Sequence, residues 1–359
     1  MKKGLLFLVL LLVPININAI SASSAIVMDL NSDRILYKKN INEQRLIAST
    51  TKIMTCLIAV EYGDLKAKVM VSSDVLKAYG SAIYIEVGEE LILKDLLYGL
   101  MLRSGNDAAI EIANVVSGSM DNFVYLMNEK AKLIGMNNTI FYNNHGLEEE
   151  NGNGNLSTAY DMALLTKEAM KNKKFREIFG TKKYTTKSSY KTYSWTSKNK
   201  LVHKYDYITG GKTGYTEKAK RTLVTTASKD DKNLVIVTLN DPNDFKDHIS
   251  LYEKYFNEYE SVLVLDKNNF KIKNESYYKA DDFVILNNYY ALVKPSEKKD
   301  LKVHVELKKI RNYKNKQQIG EAKIYIKDEL LHSEKIYIVK KEEQKKSFFS
   351  KLIGWFKKW

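Results

Sequence analysis

The sequence predicts a mixed α/β or α+β domain followed by a small β-rich domain. Three observations carry this: a strand pair at the start, a helical middle, and a return to strand patterning that changes texture late in the chain. An apolar run at 25–29, closed by Asn31-Ser32-Asp33 and followed by 34–37, reads as a β-hairpin. Apolar periodicity then turns helical at 50–62, 93–102, 107–116, 122–134 and 157–171, and strands return at 222–227 and 234–239 before a helix at 246–256. Strands from both ends with helices between them imply one sheet, flanked by helices, built from distant parts of the chain. Beyond residue 260, short period-two runs at 262–265, 283–286, 301–307, 322–326 and 336–339 describe the second domain. There Val303, Val305 and Leu307 alternate with Lys302, His304 and Glu306, which predicts one packed and one wet face, with His304 a surface histidine. The resulting organisation is a leader at 1–22, a main domain at 23–260, a β-rich domain at 261–340 and a tail at 341–359.

At 359 residues the chain has room for about two domains, and 44% hydrophobic against 28% charged residues excludes a disordered polymer. Its net charge of +14 comes mostly from lysines scattered among acids. A nucleic-acid reader would cluster arginines with aromatics, so no nucleic-acid partner is expected, whereas a diffuse positive field suits anionic lipid or cell-wall polymer. Lys2 and Lys3, the apolar stretch 4–13 and a small residue at Ala19 or Ala22 form the layout of a secretory signal peptide, with a retained N-terminal anchor as the alternative. The mature protein is therefore expected to work outside the cytoplasm. Cys56 is the only cysteine, so no internal disulfide is expected, and its neighbours Ile53, Met54, Leu57 and Ile58 make it a core residue.

Three short motifs could carry chemistry: Ser49-Thr50-Thr51-Lys52, Ser104-Gly105-Asn106 and Lys212-Thr213-Gly214. Ser49 and Lys52 stand three apart at the start of an apolar helix, on one face. A helix N-terminus favours negative charge developing on the serine oxygen, and a desolvated lysine beside it can act as a base. A serine cap with a solvent-facing lysine is the plainer reading, but a helix apolar all round is buried and leaves Lys52 needing a reason. Ser104 to Asn106 fall between two apolar helices, where a turn presents a hydroxyl and an amide on rigid supports, or simply caps a helix. Lys212-Thr213-Gly214 follows Gly210-Gly211 and precedes a strand. A lysine with a neighbouring hydroxyl can grip a carboxylate there, or merely charge an edge strand.

In that order the three motifs form a known set of penicillin-interacting serine enzymes. Residues 23–260 resemble the low-molecular-mass penicillin-binding proteins, the serine D-alanyl-D-alanine carboxypeptidases, beyond those motifs as well. Ile47 to Thr55 and Arg103 to Ala109 look like that family's first two motif segments. Asn144-His145-Gly146-Leu147, Ser157-Thr158-Ala159-Tyr160-Asp161 and Gly211-Lys212-Thr213-Gly214-Tyr215-Thr216 match further segments. The resemblance implies a serine β-lactamase/transpeptidase-like fold and an acyl-enzyme mechanism on peptidoglycan stem peptides, with covalent binding of β-lactam inhibitors and no metal or cofactor. It implies Ser49 as nucleophile, Lys52 as base, Ser104 as proton relay and Asn106 as a ligand of the acyl-side amide. Lys212 and Thr213 would hold the substrate carboxylate beside Gly214, and the N–H groups of Ser49 and Tyr215 would form the oxyanion hole. The chain departs from the family at Lys220, which stands where a glycine is usual.

Two rival readings remain open. Glu149 and Asn153 are four apart, like the deacylating glutamate and its asparagine in class A β-lactamases, and a non-catalytic wall-binding protein could keep the fold. His145 reads as a loop residue. Finally, 346–359 places Lys346, Lys351, Lys357 and Lys358 on one side of a helical projection and Phe348, Leu352, Trp355, Phe356 and Trp359 on the other. That is the pattern of an interfacial helix on an anionic membrane surface, too short to span a bilayer.

Overall fold

The computed structural model describes residues 20–32, 34–149, 152–273, 275–278 and 282–340. Residues 1–19 of the expected leader and the whole expected tail helix lie outside the described residues. The first hairpin is β1 (Ser24–Asp29) and β2 (Ile35–Lys39). Helices α1 (Lys52–Tyr62), α2 (Leu93–Arg103), α3 (Asn106–Ser117), α4 (Met120–Leu133), α5 (Ala159–Lys171) and α6 (Lys173–Phe179) follow. Strands β3 (Ile208–Thr216), β4 (Lys220–Lys229) and β5 (Lys232–Leu239) then run into α7 (Asp244–Glu258). The five strands form one antiparallel sheet in the order β2-β1-β5-β4-β3, so the chain's start pairs with its distant return.

Period-two alternation splits each central strand between two cores. Ile26, Met28, Val224, Val235 and Val237 face the helical side with α1 to α6, while Ala25, Val27, Leu223, Leu234 and Ile236 face Tyr252 and Phe256 of α7. Cys56 is buried in the helical core. The motif lysine sits inside a strand, not before one as the sequence suggested. Lys212 to Gly214 lie within β3, whose glycines dilute the apolar signal that would have announced a strand.

Residues 20–22, which the sequence reading put at the end of the leader, are packed against this fold. Ile20 and Ala22 are buried in the α7-side core, and Ser21 donates its N–H to Asp247 Oδ2 (2.6 Å) and its hydroxyl to Asp241 Oδ1 (2.6 Å).

From Glu260 the chain builds a two-stranded sheet of β6 (Glu260–Leu265) and β8 (Tyr289–Val293). It also builds a four-stranded sheet of β7 (Asp282–Val284), β9 (Leu301–Leu307), β10 (Gln317–Ile326) and β11 (Glu329–Val339), in the order β7-β11-β10-β9. Their inner faces share a core of Ala291, Val293, Ile324 and Ile336. Val303 and Val305 do not join it: β9 is an edge strand and both valines are exposed. Arg34, buried beside β1, donates to Leu292 O (2.6 Å) and pairs with both carboxylate oxygens of Glu297, tying the β-rich part to the main sheet.

Candidate active site

A cleft of about 350 Å³ opens where β3 passes the start of α1, lined by Ser49, Ser104, Thr213, Gly214 and Tyr215. All three motifs meet there, although they arrive from a helix start, a helix junction and an edge strand.

The first motif takes its geometry from a 3₁₀ turn, Ala48–Thr51, that feeds directly into α1. Residues three apart eclipse in a 3₁₀ turn, so Ser49 and Lys52 point together, with Nζ and Oγ 3.2 Å apart. The turn begins at Ala48 with φ +46°, and the loop beside it can approach only because it carries Gly146. A Cβ on Gly146 would lie 2.0 Å from Ala48 O.

Lys52 is fully buried and has two shorter bonds besides the one to serine. It donates to Asn106 Oδ1 (2.7 Å) and to the backbone oxygen of His145 (2.5 Å). A neutral amine keeps two N–H groups and one lone pair. The two short bonds occupy the N–H groups, which turns the lone pair toward the Ser49 hydroxyl. Burial, and then the nearby charges of Lys212 and Lys198, hold Lys52 well below the usual lysine range, so the neutral form is favoured. The Asn-His-Gly-Leu segment is thus structural, as expected, and its backbone positions the candidate base. The His145 ring accepts the N–H of Leu147, and burial lowers it to about 3.

Asn106 is fixed from inside the protein: its Oδ1 accepts from Lys52 and one N–H of its Nδ2 goes to Tyr79 O (2.6 Å), which leaves the second N–H of that amide for a further acceptor. Ser104 caps α2 in the left-handed conformation, φ +65°, which turns its hydroxyl toward Lys212 Nζ (3.1 Å). Lys212 is buried, donates also to Thr213 O (2.7 Å), and is pushed down to about 7 by burial and then by Lys198. Its charge therefore acts from behind Ser104 and Thr213, which form the wall of the cleft. Gly214 is required by closeness: a Cβ there would fall 2.4 Å from Thr222 Oγ1 and 2.9 Å from Ser49 N. Tyr215, the next residue, is exposed at the mouth.

Three partners had no motif to announce them. Lys198 lines the cleft and donates to Ser81 Oγ (2.9 Å), in a loop that Asp107 anchors by accepting the N–H groups of Ile83 and Tyr84. Arg221 lines the far end, paired with Asp244 at 2.7 Å. Lys220 beside it has φ +59°, a left-handed conformation that glycine adopts more readily than lysine. Glu149 accepts from Asn143 (2.6 Å) within its own loop, and Glu148 accepts from Thr216 (2.5 Å). Glu149 is thus engaged as a loop brace and is not among the residues that line the cleft.

Comparison with known proteins agrees with this geometry. A family model described as D-alanyl-D-alanine carboxypeptidase, peptidase S11, matches residues 13–243. The D-alanyl-D-alanine carboxypeptidase DacF of Bacillus subtilis is 39% identical over 222 residues, 60% of this chain and 56% of the relative. The matched region thus spans little more than half of that relative's length. A D-alanyl-D-alanine carboxypeptidase of a Streptomyces species is 34% identical over 60% of this chain and 79% of its own length. Among solved structures, penicillin-binding protein 5 of Haemophilus influenzae superposes with a TM-score of 0.75 over 90% of this chain and 98% of its own, at 23% identity. That breadth takes in the β-rich part and speaks to fold alone.

Proposed function

The chain belongs to the peptidase S11 family of D-alanyl-D-alanine carboxypeptidases, and from that premise we propose that it removes the terminal D-alanine of peptidoglycan stem peptides through an ester on Ser49. The observation that carries the reading is the buried Lys52, held beside Ser49 by two short bonds to Asn106 and His145. Lys52 takes the Ser49 proton as Oγ attacks the peptide carbonyl. The N–H groups of Ser49 and Tyr215 face the developing oxyanion, in keeping with the close passage of Gly214 over Ser49 N. Ser104, hydrogen-bonded to Lys212, carries a proton to the departing D-alanine nitrogen, and Thr213 with the cations behind it holds the terminal carboxylate. Water then hydrolyses the ester. β-Lactams acylate the same serine and stay attached longer.

The substrate lies outside the cytoplasm, and the leader pattern of the sequence suits that location. None of the described helices is long and apolar enough to cross a membrane. The lysine-faced, tryptophan-bearing pattern of 346–359 supports attachment to an anionic membrane surface. The deciding experiment is mass spectrometry of the protein with penicillin and with a diacyl peptide ending in D-alanyl-D-alanine. A covalent adduct on Ser49 and release of D-alanine are expected, both lost in Ser49→Ala; labelling that persists in Ser49→Ala would sink the assignment.

A further inference from the structure

A larger cavity, about 740 Å³, lies apart from the cleft, where the main sheet meets the β-rich part. One wall comes from the turn between β1 and β2, the start of β5 and the end of α5, and the other from residues in and just before β8 and from the start of β11. The Arg34 bonds to Leu292 O and Glu297 hold these two walls together. Strand β4 separates cavity from cleft: Arg221 near its start lines the cleft, whereas Asp231, in the turn past its end at Lys229, lines the cavity. At about 3.3 Å per residue along that strand, the two sites stand on the order of 30 Å apart.

The lining is rich in amides. Asn31 and Asn233 come from the main sheet, Asn287 and Asn288 from the β-rich part. An amide offers a donor and an acceptor side by side, which is what a sugar hydroxyl or an acetamido group needs. The side-chain amides of Asn31 and Asn233 make no hydrogen bond to another described residue. Asn288 accepts the Lys267 N–H at Oδ1 (2.9 Å), which leaves its own N–H groups to donate. His332 stacks on Tyr289 with ring centroids 4.2 Å apart and planes within 3°, and Glu334 holds it at 3.2 Å. Leu30 and Leu331 add apolar surface, and Lys167 and Lys171 are balanced by Asp231 and Glu334. Such a lining suits an uncharged ligand with hydroxyl, amide and methyl groups, and gives no field to select a phosphate. On the function proposed above, on which this inference rests, stem peptides hang from a glycan of N-acetylated amino sugars. We propose that the cavity binds a stretch of this glycan, the asparagines pairing its hydroxyl and acetamido groups and a sugar ring lying against His332. An extended five-residue peptide reaches only about 17 Å. The sugars in the cavity and the peptide in the cleft therefore belong to different parts of the polymer, and the cavity holds the enzyme on the wall without touching the reacting bond.

The test is calorimetric titration of the full chain with three tetrasaccharides: peptide-free wall glycan, tetra-N-acetylchitotetraose and cellotetraose, which lacks acetamido groups. The first two should bind, and cellotetraose at least about tenfold more weakly. Asn31→Ala/Asn233→Ala should weaken binding of the first two at least about tenfold, and so should Ser333→Trp, which narrows the cavity from an exposed position and keeps the amides. In both variants penicillin acylation and D-alanine release from a soluble pentapeptide should change less than about twofold, which also reports that they are folded. Equal affinity for cellotetraose, binding of the wall fragment alone through its lactyl carboxylates, or full affinity in both variants would overturn the inference. Absence of binding with D-alanine release intact would overturn it and leave the carboxypeptidase reading standing; absence of D-alanine release would overturn that reading itself.

Discussion

On the proposed function, two buried lysines divide the work in the cleft. Lys52 must be neutral to accept a proton, and Lys212 must be charged to attract a carboxylate. Activity should therefore rise with pH through the depressed pKa of Lys52 and fall as Lys212, lowered to about 7, loses its proton. The two interact, so the limbs belong to the pair. Lys198 depresses both. Lys198→Met removes that positive charge, raises both pKa values and should move both limbs of the kcat/KM profile to higher pH, as a pH-rate series would record. A profile that keeps its position would mean that Lys198 acts only through its bond to Ser81. At this scale the Ser49/Lys52 pair was legible because spacing along one turn is written in sequence. Lys198, Ser81 and Arg221 were not, because loop closure brings them in from distances no local pattern encodes. The commitment of Asn106 to Lys52 and Tyr79 was likewise invisible, since a motif names a residue and not its partners.

Helices were read well because an apolar face repeats along them, and the central strands because both of their faces are buried. Strand β3 was the element misplaced, and its glycines explain why. They serve close approach, as Gly214 does over Ser49, and closeness leaves no apolar periodicity. The turn from β3 to β4 shows the opposite economy. Lys220 holds a left-handed backbone without glycine's freedom, at a cost of roughly 1–2 kcal/mol that the flexible unfolded chain of a glycine variant partly offsets. Lys220→Gly should stabilise the protein by about 0.5–1 kcal/mol in a urea titration, with penicillin acylation unchanged. Destabilisation would mean that the lysine makes a compensating contact. Strand β9 erred the other way: alternation was present, but an alternating strand at a sheet edge need not have anything packed on it, and Val303 and Val305 stay exposed.

Across the whole molecule, charge and attachment follow from position. The main sheet holds the cleft at its β3 edge, while Arg34 fastens the β-rich part behind β1 and β2, away from that edge. The last described strand, β11, ends at Val339 in that β-rich part. Residues 346–359 follow that part in the sequence, and none of its residues lines the cleft. Those residues carry four lysines and no acid, with two tryptophans on the opposite side of the projection. Near anionic lipid each lysine contributes about 1 kcal/mol, and the aromatics add burial at the headgroup level. The overall charge of +14 adds long-range attraction to the same surface, but it is spread out and screened beyond about 8 Å at physiological salt. A chain lacking 346–359 should thus lose flotation with anionic vesicles at physiological salt while Ser49 still reacts with penicillin at its full rate. If the shortened protein still floats, the general charge suffices for binding; if acylation falls, the tail supports the fold, and in either case it is not an independent anchor.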